Sequence, residues 1–258
     1  MEHDHIRKFW ESQGEKHGAS HWSSWGDSHM IELEVLEIGK HITKGDKIID
    51  IGCASGFSSF EQLEREQPSH VTGIDFCDSM IDAANLEKAK RELSNIDFET
   101  GDVRDLRFAD GEFDMAYTTR VIINLATWEE QKAAIDECLR VVRPGGKLVL
   151  SEAFYEPQQL LNSLRTIKNL PPLMEHDFNR YIKKCYVTPF LEGKGLEYEI
   201  VDFSSIYYLG SRFLRELVTD VSQYEGFSNP INEIFFGIEK NFSGGGFGVQ
   251  QAIVINKP

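Results

Sequence analysis

Asp50, Gly52 and Gly56 stand together in Ile48-Ile-Asp-Ile-Gly-Cys-Ala-Ser-Gly-Phe57, where an apolar, β-branched run ends near an acid and passes at once into a loop of small residues. Lys47 to Ile51 reads as a strand buried on both faces of a parallel sheet. The two glycines let the backbone turn tightly and approach a ligand with no Cβ in the way. A helix beginning near Phe57 aims its free N–H groups at the same point. This chemistry suits a nucleotide-like ligand held at the carboxyl end of the strand. The spacing Gly52-x-x-x-Gly56 is not the G-x-G-x-x-G of a dinucleotide site, and no Gly-Lys-Ser/Thr follows to make a phosphate loop.

Further strand-like runs carry acids at useful intervals. His70-Val-Thr-Gly-Ile-Asp75 ends in a carboxylate about twenty residues beyond the glycine loop, where ribose hydroxyls are accepted in nucleotide-binding βαβ units. A third run, Ile96-Asp-Phe-Glu-Thr-Gly-Asp-Val103, ends in Gly101-Asp102-Val103. A fourth is Phe113-Asp-Met-Ala-Tyr-Thr-Thr119, followed by an amphipathic helix and by Leu139-Arg-Val-Val-Arg-Pro-Gly-Gly-Lys-Leu-Val-Leu150, in which Pro-Gly-Gly ends the helix and feeds a fifth strand.

In this order, over about Asp46 to Ala153, the chain resembles the class I S-adenosylmethionine-dependent methyltransferases: D-I-G-C-x-x-G is similar to their first motif, and Gly101-Asp102-Val103 to their adenine-binding turn. The resemblance implies S-adenosyl-L-methionine as cofactor and S-adenosyl-L-homocysteine as product. Asp50, Gly52, Cys53, Ala54, Ser55 and Gly56 would cradle the methionine part, and Asp75 the ribose, with Phe76 and Met80 packed beside it. Asp102 and Val103 would hold the adenine, and Thr118 and Thr119 would face donor and acceptor. Plainer roles compete: Asp50 or Ser55 as a helix cap, Met80 as core, Asp102 as a turn residue.

The implied fold is α/β, a mostly parallel seven-stranded sheet sandwiched by helices. Strands are expected near 47–51, 70–75, 96–100, 113–118, 146–152, 196–203 and 249–255, with a terminal hairpin that sets one strand antiparallel. Residues 1–45 form an N-terminal helical segment with an aromatic lid, and 46–258 the methyltransferase domain, with insertions at about 154–195 and 205–247 after the fifth and sixth strands, the second holding a helix near Ser211 to Val221. Ligands of open α/β sheets bind outside the carboxyl ends of the strands, so these segments are placed to roof the site and to set acceptor specificity.

Transfer of a methyl group from a sulfonium is an in-line displacement; the protein aligns donor and acceptor, excludes water, and supplies a base when the acceptor is a hydroxyl. His176 is the candidate base, with Arg120 and Tyr181 as further catalytic candidates. Trp22, Trp25, Arg120, His176, Asn179, Arg180, Tyr208 and Arg212 are candidates for the acceptor site, each against the alternative of solvated surface or, for the tryptophans, an anchor of the N-terminal arm. Neither an Asn/Asp-Pro-Pro-aromatic sequence after the fourth strand nor a Pro-Cys nucleophile is present. Both absences favour O-methylation of a small polar metabolite, and Arg120, Arg180, Lys183, Lys184 and Arg212, gathered over the acceptor, would suit an anionic one such as a phosphorylated or nucleotide-linked sugar or a carboxylated compound. Alternatives are C-methylation of a lipid-like or polyketide-like ring, and a non-catalytic protein that binds S-adenosylmethionine.

The 258 residues suffice for one elaborated α/β domain. A formal net charge of -15 disfavours a polyanionic nucleic-acid partner. Neither a secretory leader nor a run long enough to span a bilayer is evident, so the expectation is a cytoplasmic monomer or homodimer without a membrane partner. The four cysteines lack C-x-x-C spacing and read as reduced small hydrophobes. His17 and His21 are four apart, but Gly18 and Ser20 interrupt the helix that would align them, and no metal is expected.

Overall fold

The structure is a computed structural model and describes residues 2–18, 20–224, 227 and 229–258. Its centre is a seven-stranded sheet in the order β3-β2-β1-β4-β5-β7-β6. The strands are β1 (Lys47–Ile51), β2 (His70–Asp75), β3 (Ile96–Thr100), β4 (Phe113–Thr119), β5 (Val142–Ala153), β6 (Glu197–Val201) and β7 (Gln250–Asn256). The first five pair in parallel, and β7 runs antiparallel to both β5 and β6. Ile48, Ile49, Ala116, Tyr117, Leu148 and Val149 have no exposure, as expected of strands covered on both faces.

Helices α3 (Phe57–Glu66), α4 (Asp78–Lys90) and α5 (Trp128–Val141) connect the parallel strands. Thr127 and Glu130 close a capping box that starts α5. The Pro144-Gly145-Gly146 stretch was expected to stop the helix. It lies inside β5 as an irregularity: register jumps from Phe113↔Val142 to Met115↔Lys147, and Gly145 takes φ +76°.

Before the sheet come α1 (Glu2–His17) and α2 (Ser28–Gly39). Asp27 caps α2 by accepting from the Met30 N–H at 3.2 Å. After β5 lie α6 (Tyr155–Ile167) and α7 (Lys184–Gly193); between β6 and β7 lie α8 (Ser205–Leu209), a π-helical turn (Gly210–Leu214), α9 (Arg215–Val218) and α10 (Pro230–Glu239). A helix was expected near Ser211 to Val221. Helical structure instead begins at Ser205 and ends at Val218, passing through the π turn where Gly210 lies against the Phe235 ring; a Cβ there would sit 2.0 Å from that ring. Among the described residues, no helix is long and apolar enough to cross a membrane.

Candidate functional site

Strand order reverses between β1 and β4, and the crevice at their carboxyl ends opens into a cavity of about 450 Å³. The turn after β1 forms one end of it. Gly52 (φ +79°) and Ala54 (φ +47°) take left-handed conformations, and the N–H groups of Gly52 and Cys53 both donate to the Ile74 carbonyl, at 2.7 and 2.8 Å. Gly56 (φ +82°) begins α3 and packs on Phe98 and Phe60, outside the cavity wall.

Asp75, at the end of β2, lies on the cavity wall midway along the site. Its carboxylate accepts from the Ala54 N–H and the Cys77 N–H, each at 2.9 Å. Burial pushes its pKa up to about 6 against those two hydrogen bonds. Phe76, Met80 and Val103 line the same cavity. Asp102 does too, but Arg104 clasps its carboxylate, with Nη2 at 2.6 Å and Nε at 2.9 Å. The acid expected to meet an adenine amine therefore already shares its charge with a guanidinium.

A second, smaller recess joins the cavity at Gly52, Ala54, Thr119 and Arg120, and is walled by Asp50, Cys53 and Ser55. Asp50 accepts from Ser59 Oγ at 2.6 Å; burial pushes its pKa up to about 7. Ser55 Oγ shares a 2.8 Å hydrogen bond with Ser23 Oγ. Thr118 and Thr119 part company, as neighbours on a strand must. Thr119 lines the cavity, whereas Thr118 is wholly buried and donates to Glu152 Oε1 at 2.7 Å. Thr118 thus supports the wall from behind and does not face a ligand.

Arg120 follows β4 with φ +57°, its N–H donating to the Ser151 carbonyl at 2.8 Å. Its Nη1 lies 3.2 Å from both oxygens of Glu34 on α2, and its guanidinium stacks 4.3 Å from the Trp25 ring. Burial pushes Glu34 up to about 7, opposed by Arg120. Behind this pair, Arg212 bonds Asp27 and lies 5.3 Å from the Tyr208 ring; Tyr207 Oη donates to Asp27 at 2.6 Å. Arg212 is held in its charged form above its ordinary pKa, since Asp27 and the two tyrosines outweigh the cost of burial. Burial and Glu175 raise the Tyr181 phenol, with Arg212 and Arg120 opposing.

The other candidates lie apart from the cavity. His176 is exposed and stacks on Phe178, 5.3 Å between rings, and Phe178 meets Phe9 and Trp10 of α1. It is not on the cavity wall, so the geometry gives no support to a role as base. The Asn179 N–H donates to the His176 carbonyl; Arg180 is exposed and donates to the carbonyls of Asp177 and Asn179. Trp22 is half exposed and covers Gly26. The His21 side chain lies outside the described residues, and among these no group of three His, Cys, Asp or Glu is placed for a metal.

Several cavity residues went unseen in the sequence. Ile6, Arg7 and Trp10 come from α1, Arg104 and Arg107 from the loop after β3, and Asn124 and Leu125 from the turn after β4. Glu34 did leave a signal, an acid at an inward position within the apolar run from Ile31 to Ile38.

The match to known proteins agrees with this architecture. Residues 42–203 match the model of a methyltransferase domain family. The chain belongs to the class I S-adenosylmethionine-dependent methyltransferases. It is 28% identical over 199 residues to the ubiquinone biosynthesis O-methyltransferase of Coxiella burnetii, covering 75% of this chain and 82% of that one. It is 26% identical over 174 residues to the O-methyltransferase rstn1 of Aspergillus nomiae, covering 62% and 76%. The fold superposes on the geranyl diphosphate C-methyltransferase of Streptomyces coelicolor A3(2) with a TM-score of 0.58 at 14% identity, covering 89% of this methyltransferase and 79% of that one.

A methyl donor of this class needs continuous room from the glycine loop to the turn after β3. This methyltransferase provides that room: Gly52, Asp75 and Val103 border one cavity. Thr119 Oγ1 and Asn124 Oδ1, both on residues of the wall, are buried and have no hydrogen-bond partner among the described residues, as expected of groups that a ligand completes. The residues present fit the group.

Proposed function

We propose that this methyltransferase transfers a methyl group from S-adenosyl-L-methionine to oxygen on a small polar acceptor. The single continuous cavity from the glycine loop through Asp75 to Val103 carries the reading. S-adenosylmethionine supplies an electrophilic methyl on a positively charged sulfur. Asp75 accepts the ribose hydroxyls, Gly52 and Ala54 let the backbone come close, and Phe76, Met80 and Val103 wall the nucleoside. Thr119, Arg120 and Asn124, one step beyond β4, face the transfer and exclude water. Similarity to two O-methyltransferases supports oxygen as the acceptor atom.

An anionic acceptor rests on Arg120. Of the cations expected to gather over the acceptor, Arg212 is committed to Asp27 and Arg180 lies at the surface, while Arg120, paired with Glu34, borders the cavity. A monomer or homodimer acting in the cytoplasm, with residues 1–45 and the two insertions as roof, completes the proposal.

Calorimetric titration with S-adenosylmethionine and S-adenosylhomocysteine tests it. Micromolar binding of both by the wild type, abolished in Asp75→Ala, is the expected result. No binding of either ligand by the folded wild type overturns the donor assignment.

A further inference from the structure

Glu152 sits near the end of β5 with no exposure, facing none of the cavity, yet it gathers four donors. Its Oε1 accepts from Thr118 Oγ1 at 2.7 Å and from the N–H groups of Val121 and Ile122 at 3.1 Å each; its Oε2 accepts from the Ile123 N–H at 3.3 Å. Three consecutive N–H groups of the turn after β4 thus converge on one side chain. This turn supplies Arg120, Val121, Asn124 and Leu125 to the cavity, and it is locked further by Asn124 Nδ2 donating to the Arg120 carbonyl at 2.6 Å.

We infer that Glu152 is a positioning residue for methyl transfer: its carboxylate, acting through the backbone of residues 121–123, holds the turn that presents Arg120 and Asn124 to donor and acceptor. A site built of four donors fits the ionised carboxylate. Hydrogen bonds to a charged acceptor are roughly twice as strong as those between neutral groups, so adding a proton weakens all four at once and places a donor where acceptors are needed. The hold on the turn is therefore sensitive to pH.

Burial pushes Glu152 up to about 7, against the pull of its four donors. The groups that share its field are Glu34 from α2, which repels its charge and is itself paired with Arg120, and Cys138 from α5. From β7 it faces Gln251, which carries no charge. As pH falls from 8 to 6, the carboxylate is lost and the turn loosens.

The test reads affinity for S-adenosylhomocysteine by calorimetry from pH 8 to pH 6, beside melting temperature. Wild type should bind more weakly at low pH, with a step near pH 7. Glu152→Gln should bind at least tenfold more weakly at pH 8 and fall less between pH 8 and pH 6 than the wild type, the remaining fall belonging to Glu34, Asp50 and Asp75. Unchanged affinity at pH 8 in Glu152→Gln, or a fall toward pH 6 as large as that of the wild type, overturns the inference. Should Glu152→Gln fail to fold, Thr118→Val decides: it removes one of the four donors, so the step should move to higher pH, and an unmoved step overturns the inference. The inference rests on donor binding at this cavity, and the wild-type titration separates the two: a wild type that does not bind at any pH rejects the donor assignment, whereas one that binds with no dependence on Glu152 rejects only this role.

Discussion

Asp27 is at once the cap of α2 and the counter-ion of Arg212, a residue 185 positions later in the π turn. One carboxylate therefore ties the N-terminal segment to the stretch between β6 and β7, with Tyr207 as a third party. Removing one partner leaves a buried charge unanswered, which costs about 3–5 kcal/mol. Asp27→Asn should therefore lower the melting temperature sharply. Asp27→Asn combined with Arg212→Met should melt higher than Asp27→Asn alone, because the stranded guanidinium is gone. A double variant that melts lower would refute the pairing.

Gly52 makes a steric prediction. An added Cβ would stand 2.2 Å from Val121 Cγ2, on a backbone at φ +79° that side chains avoid. Gly52→Ala should lose both stability and affinity for S-adenosylhomocysteine. Adding Val121→Ala should restore part of the melting temperature, since it clears the clash and leaves the backbone strain. Full recovery would mean that the conformation itself costs nothing.

The stability of the protein should fall as pH rises from about 5 to 8. Glu34, Asp50, Glu152 and Glu239 are pushed up to about 7 and Asp75 to about 6, in each case chiefly by burial. A carboxyl with a raised pKa in the folded state favours folding fully below its unfolded value, and that contribution is lost as pH climbs through the folded value. Urea midpoints at pH 5.5 and pH 8 check this, with the higher midpoint expected at pH 5.5. Donor affinity should run the opposite way, so a joint decline of both toward low pH would contradict this account.

His176→Ala should leave both melting temperature and S-adenosylhomocysteine affinity as in the wild type, because the ring is exposed and stacks on Phe178, off the cavity wall. A tenfold loss of affinity would bring the residue back to the site.

Strands β1, β2 and β4 were readable as short, largely apolar and buried runs closed by a turn signal, and β3, with Asp97 and Glu99 exposed, was readable from the Gly101-Asp102 turn that follows it. The cavity wall from Gly52 to Val103 was readable for the same reason: its residues sit at strand ends, within a few positions of the pattern that marks the strand. What escaped depends on distance along the chain. Glu152 lies 31 positions from the Val121 N–H it accepts, and Glu34 lies 86 from Arg120, and only the sheet order brings either pair together. Thr118 was read as facing the ligand because strand ends do so in general, but one residue of alternation sends its hydroxyl to Glu152. The contribution of α1 was hidden by its polar composition, since Ile6 and Trp10 reach the cavity from a helix that is otherwise charged.

The placing of β7 between β5 and β6 sets the order of assembly during synthesis. Strands β1 to β5 can pair with one another as they emerge, and α3, α4 and α5 can dock on them. β6 has no partner until residues 250–256 have been made, because its only neighbour is β7. Until then, the nascent sheet shows the open edge of β5, with Glu152 and the cavity wall beside it, and an unpaired edge of that kind invites pairing with other chains. The parallel part of the sheet, with the cavity at its end, is thus laid down early and its β5 edge covered late, and a ribosome pause before residue 250 would leave that edge bare.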